Sequence, residues 1–214
     1  MLLTEEDQNF LKVKIKFLII ILTLLFTSKS YCEKIVLEKL VELDSPWGSS
    51  FINNNEIIVT EKSGKIKIVD ILTNQIQEVD HQLDFVVHGQ GGLLDIIHKD
   101  NIVWISYTED RGNYKTSTSI ARAELNKKKL VFKNIFQANP PIDSGYHFGS
   151  RLAIKDNYIY ASAGERGQGM IAQDASKHPG SIIRVHLDGS IPNDNPKFEG
   201  KSDWLPEIYQ IGIR

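Results

Sequence analysis

Three short stretches of the chain carry the residue types that reaction chemistry uses. "YHFGSR" places His147 just ahead of an apolar run, and "AGERGQG" places Glu165 eighteen residues later. An imidazole near neutral pH can take a proton from a hydroxyl, and a carboxylate beside it can orient the ring and balance the charge that results. "HGQGGLLDI" sets Gln90 among glycines, so its amide stands clear of neighbouring side chains. Spacing equally admits blander readings: a histidine satisfied by backbone at a strand end, a surface pair between Glu165 and Arg166, a tight turn around Gln90. A phosphate cradle does not fit 88–96, because a strand-like run follows where the dinucleotide fingerprint needs a helix. "DGSIPNDNP" (188–196) lacks the loop glycine and distal glutamate of an EF-hand, so it reads as a turn between blades. The chain has no zinc-like Cys/His spacing and no G-x-S-x-G.

The elements that must hold these residues read as β-strands. "EIIVT" (56–60), "KIKIVDI" (65–71), "NIVWISYT" (101–108), "YIYASA" (158–163) and "SIIRVHL" (181–187) are short and rich in Ile and Val. Turn residues separate them, among them "KSGK" at 62–65, "KDN" at 99–101 and again at 155–157, "NKKK" at 126–129 and "LDGS" at 187–190. In 65–68 lysines alternate with isoleucines, as on a strand with one wet face. No sustained helical period occurs beyond the N-terminal segment.

A weak repeat organises the strands. "WGSSFINNNEIIVTEKSG" from Trp47, "GGLLDIIHKDNIVWISYTED" from Gly91 and "FGSRLAIKDNYIYASAGERG" from Phe148 share one order: glycine, small or apolar pair, turn with asparagine, hydrophobic strand. Lys99 and Lys155 of the two "KDN" turns are 56 residues apart, and Gly48 and Gly92 are 44 apart. All-β repeats of about 40 to 50 residues mark propeller blades. The expected fold class is therefore an all-β propeller, and a chain of this length accommodates about four blades or fewer at that period. The chain stops at "EIYQIGIR" in mid-pattern, as the N-terminal part of a longer propeller would. His147 sits just before a strand, as do Trp47 and its neighbours in the first repeat, and a base there sets it apart from the otherwise similar segment.

The bulk properties are those of a globular protein. The 214 residues are 41% apolar and 24% charged with net charge −2, and no basic block suggests a nucleic-acid partner. At the N-terminus, Lys12, Lys14 and Lys16 precede "FLIIILTLLFT" (17–27), after an acidic leader "TEED". Eleven apolar residues are too few for a stable membrane anchor, which takes about twenty. Positive charge, short apolar run and small residues form a secretory signal, expected over 1–32 with cleavage after Ser30 or Cys32. The mature domain then runs over 33–214. Cys32 is the only cysteine, so an exported chain without disulfides is expected in the periplasm.

Taken in order, "PWGSSF" (46–51), "GQGGLLDI" (89–96), "HFGSRL" (147–152), "GERG" (164–167), "AQD" (172–174), "IIRVHLDGSIPNDNP" (182–196) and "EIYQIGIR" (207–214) resemble the glucose/sorbosone dehydrogenase family of quinoproteins, most closely its soluble aldose sugar dehydrogenases. The resemblance implies a six-bladed propeller that binds pyrroloquinoline quinone (PQQ) and oxidises the C1 hydroxyl of aldose sugars to lactones. It implies His147 as general base, Glu165 as its supporting carboxylate and Gln90 as a contact to cofactor and substrate. It also implies Arg214 as the guanidinium facing the quinone oxygens. Calcium ligands and further quinone-binding basic residues are expected beyond residue 214, as are the Asn and Pro that follow the family's arginine. Ser181 stands where the resemblance leads one to expect lysine. The alternative from another class is a propeller that binds sugar or protein without catalysis. A hydrolase on the same scaffold lacks a motif.

Overall fold

The computed structural model describes residues 6, 9–10, 12–18, 34–197 and 203–213. The chain divides into two compact units, Met1–Glu38 and Lys39–Arg214. In the first, residues 9–10 and 12–18 are helical, and their described apolar side chains, Phe10 and Phe17 among them, are exposed. No helix among the described residues is long and apolar enough to cross a membrane. Most of the apolar run 17–27 and the expected cleavage positions 30–32 lie outside the described residues.

The second unit is three successive four-stranded antiparallel sheets, the blades that the repeat predicts. The first blade comprises β1 (Pro46–Phe51), β2 (Glu56–Glu61), β3 (Ile66–Asp70) and β4 (Ile76–His81). The second comprises β5 (Leu93–Lys99), β6 (Ile102–Asp110), β7 (Thr116–Glu124) and β9 (Lys133–Gln137), with β8 (Lys129–Leu130) running parallel to β4 of the first. The third comprises β10 (Gly149–Lys155), β11 (Tyr158–Ala163), β12 (Ser181–His186) and β13 (Ile208–Ile211). Among the described residues the blades number three, and the third consumes more chain than the period suggests, with a long loop over 164–180 and a long stretch of chain between β12 and β13. Between β7 and β8, Asn126 Oδ1 accepts the amides of Lys128 and Lys129, so "NKKK" is the turn its composition indicates.

The three repeated segments open the three blades, and the structure shows what they repeat. In each, the first hairpin carries a register irregularity: at 46–48, at 93–96 and at 149–152. A hydroxyl on the second strand takes up the amide set free there. Gly48 N donates to Thr60 Oγ1 (3.0 Å), Asp95 N to Ser106 Oγ (2.9 Å) and Arg151 N to Ser162 Oγ (3.1 Å). The same hydroxyl then donates to the opening strand of the next blade, Thr60 to Leu94 O (2.5 Å) and Ser106 to Ser150 O (2.6 Å). Thr60 and Ser106 are fully buried, where an unpaired amide or carbonyl is costly. Thr60, Ser106 and Ser162 are thus the polar joints of the repeat.

Apolar side chains fill the space between blades. Ile58, Ile66, Leu93, Val103, Ile105 and Leu130 form the cluster between the first and second. Trp104, Ile120, Phe136, Ile159, Ile183 and Ile208 form that between the second and third. Trp104 is buried, and its indole N–H reaches Leu187 O at 2.9 Å. In β3, Ile66 and Ile68 are buried while Lys67 turns to Glu61, the alternation anticipated for a one-sided strand.

Candidate active site

Three connections meet at one end of the second and third blades. Segment 82–92 enters β5, segment 138–148 enters β10, and segment 164–180 leaves β11. Because β10 and β11 are antiparallel with Gly149 opposite Ala163, residues just before the one and just after the other face each other across the hairpin mouth. His147 and Glu165 occupy those places. His147 Nδ1 lies 2.5 Å from Glu165 Oε1. Glu165 is 7% exposed, and its second oxygen has no hydrogen-bond partner among the described residues. The ring nitrogen that faces the carboxylate is Nδ1, which with the carboxylate accepting carries the hydrogen of this bond.

Gln90 closes the group from the neighbouring blade. Its amide N donates to Gly145 O (2.7 Å), and its side-chain Oε1 accepts from His147 N (2.8 Å). The sequence suggests an amide held free. In the structure its carbonyl half is committed to the histidine's backbone and only its NH2 half remains for a ligand. Two glycines make this crossing possible. A Cβ at Gly89, where φ is +57°, would lie 2.4 Å from Gly145 O, and one at Gly164 would lie 2.1 Å from His147 O. His147 itself has φ of +48°, in the left-handed region that non-glycine residues seldom occupy.

Arg166 overturns the reading of a surface pair with Glu165. It is 2% exposed, and its guanidinium donates to Tyr146 O and Thr116 O (both 3.0 Å), to Thr116 Oγ1 (2.7 Å) and to Ser144 O. Its charge lies 3.7 Å from the centre of the Phe148 ring. Burial pulls the guanidinium down to about 10, so it stays charged at neutral pH. Composition gives no sign of this role, since an arginine in a "GERG" loop reads as a surface residue.

Arg214 lies outside the described residues. The backbone leading to it is held against the loop after Glu165: Gly212 N donates to Ala172 O (2.8 Å) and Ile213 N to Gly180 O (3.0 Å). Two further groups stand near the histidine without a sequence signal of their own. The Tyr146 ring is exposed, 6.2 Å from the imidazole between centroids, and Lys62 Nζ donates to Gly89 O at 2.5 Å. An open cleft of about 680 Å³ is lined by Val87, His88, Asp110, Tyr114 and Asp143.

The acidic turn at 188–196 is structural. Asp188 caps Ser190, Asp194 grips Arg184 through two bonds of 2.9 Å, and Asn195 binds Arg184 O and Pro206 O. The Arg184 bond holds the Asp194 carboxyl below its ordinary range. No group of three or more His, Cys, Asp or Glu among the described residues could hold a metal ion.

Residues 43–214 match the family model described as Glucose / Sorbosone dehydrogenase. The chain is 31% identical over 183 residues to aldose sugar dehydrogenase YliI of Escherichia coli (strain K12), covering 81% of this chain and 49% of that protein. It is 26% identical to quinoprotein glucose dehydrogenase B of Acinetobacter calcoaceticus, covering 87% of this chain and 45% of that protein. The PQQ-bound form of aldose sugar dehydrogenase from Streptomyces coelicolor superposes with a TM-score of 0.68 at 26% identity, covering 78% of this chain and 52% of that one. The chain spans about half the length of the curated relatives it matches. With a propeller architecture, a family match over most of its length and relatives that act on sugars, the chain belongs to the glucose/sorbosone dehydrogenase family.

Proposed function

We propose that the whole protein to which this chain belongs is a periplasmic, PQQ-dependent dehydrogenase of aldose sugars. The observation that carries the reading is the pair formed by His147 and Glu165, with Gln90 bound to the histidine's own amide. In this reading His147 is the general base. Its Nε2 takes the proton of the C1 hydroxyl as hydride leaves C1, so the sugar loses two electrons and two hydrogens and becomes a lactone. Glu165 keeps the ring in the productive tautomer and balances the charge formed on protonation. PQQ, when bound, supplies the two-electron acceptor for the hydride.

The residues present fit one edge of such a group. A planar polyanion needs cationic and N–H donors, and Lys62 and the Gln90 NH2 group are the ones present beside the histidine loop. Arg214 is proposed to face the quinone oxygens, and calcium ligands to come from sequence beyond it. The spare buried oxygen of Glu165 is the kind of acceptor that a hydroxyl or water satisfies. Export follows from the proposed signal over 1–32.

The test is reconstitution of the full-length protein with PQQ and calcium, followed by dye reduction across a panel of aldoses. Activity is expected, and His147→Ala should lower kcat by about 10²- to 10⁴-fold while the protein stays folded. Bound sugar with no quinone absorbance and no turnover would instead identify a binding propeller.

A further inference from the structure

We infer that Arg166 is the positioning residue of the site: one guanidinium grips the residues on both sides of His147 and thereby holds the imidazole at its working place. Tyr146 precedes the histidine and Phe148 follows it. Arg166 binds the first through its carbonyl (3.0 Å) and the second through the face of its ring (3.7 Å). It also binds Ser144 O, two residues further back. The remaining donors anchor the clamp to a rigid element, since Thr116 O and Thr116 Oγ1 open β7 of the neighbouring blade.

The geometry requires such a clamp. His147 sits at φ +48°, a conformation that persists only where surroundings over-determine it. Phe148 is fixed on its other sides as well. Its carbonyl accepts from Thr118 Oγ1 (2.8 Å) and Gly164 N (3.1 Å), and a Cβ at Gly91 would lie 2.8 Å from its ring. The Phe148 ring therefore lies close to both the guanidinium and the backbone of the Gln90 loop. A planar fork with five donors suits this task; a lysine offers one point of charge and cannot span acceptors on Ser144, Tyr146 and Thr116 together. Burying a cation whose described partners are carbonyls, a hydroxyl and a ring face is expensive.

The inference rests on the proposed role of His147, and its test separates the two. Arg166→Lys and Arg166→Gln are made in the full-length protein, with [15N]histidine labelling to follow the Nδ1 proton of His147, identified by its loss in His147→Ala. Both variants are expected to lower kcat by about 10- to 100-fold with little change in KM, and to broaden or shift that proton signal upfield. Lysine should rescue little, because the fork rather than the charge is what holds the loop. A lysine variant with wild-type kcat and an unmoved signal would overturn the inference, as would variants that lose thermal stability alone. Should Arg166→Gln fail to fold, Phe148→Leu removes the stacked ring only. It should move the signal in the same direction, and an unchanged signal there counts equally against the clamp. A wild-type protein inactive on sugars, whose imidazole signal still responds to Arg166, would remove the proposed reaction and leave the clamp standing.

Discussion

His147 and Glu165 stand eighteen residues apart in the chain and 2.5 Å apart at Nδ1 and Oε1. The β10–β11 hairpin produces this closeness: pairing of Gly149 with Ala163 returns the chain to its starting point, so the two residues beyond the pair meet. Glu165→Gln keeps the side chain's shape and removes its charge. Turnover of the full-length protein is expected to fall by about 10²- to 10⁴-fold with the fold intact. Steady-state kinetics beside a thermal melt checks this, and an unchanged kcat would count against the assigned pair.

Gly164 makes a very tight approach in the site, with a Cβ there placed 2.1 Å from His147 O. Gly164→Ala must push the histidine's backbone away from the carboxylate. The expected loss is about 1–3 kcal/mol of stability together with a lower kcat. Urea unfolding and kinetics on the same sample report both, and a variant with wild-type kcat would show that the approach does not position the base.

Ser106 joins the second blade to the third by accepting from Asp95 N and donating to Ser150 O. Ser106→Ala leaves a buried amide and a buried carbonyl with fewer partners, at a cost of about 1–3 kcal/mol. Chemical denaturation measures it. No loss of stability would mean that the repeated hydroxyl is incidental.

Away from the site, His178 Nδ1 accepts from Asn139 N (3.0 Å), and its Nε2 faces Glu207 Oε2 at 3.4 Å, which ties the strap bearing His147 to the third blade. This bond, foremost among the causes, holds the Glu207 carboxyl below its ordinary 4.5. The folded state therefore binds its proton less readily than the unfolded chain. The stabilisation is present in full above about pH 4.5 and is lost as pH falls through the lower folded value. Melting temperature should drop more steeply below about pH 4.5 in the wild type than in Glu207→Gln. Parallel curves would exclude the linkage.

Much of the architecture is legible in the sequence. The strands over 56–60, 101–108, 158–163 and 181–187 announce themselves by β-branched content and turn residues, and the glycine-led repeat gives the blades. Both signals are local, so a linear reading finds them. The number of blades was less legible, because loop length inside the third blade does not follow the period. The acidic segment 188–196 reads as a turn between blades; it is a turn, but one that joins β12 to β13 within the third blade, a connection that only strand pairing decides.

The site itself divides along the same line. His147, Glu165 and Gln90 were nominated by residue type and by resemblance, since base, carboxylate and amide have recognisable chemistry wherever they stand. Folding alone decided that Gln90 Oε1 serves the histidine's backbone and that Arg166 is buried beneath the loop. Those two facts depend on contacts between blades, Gln90 to His147 across 57 residues and Arg166 to Thr116 across 50. A charge's partners are set by what surrounds it in three dimensions, and for Arg166 those partners are backbone carbonyls, which every residue possesses and no residue type reveals.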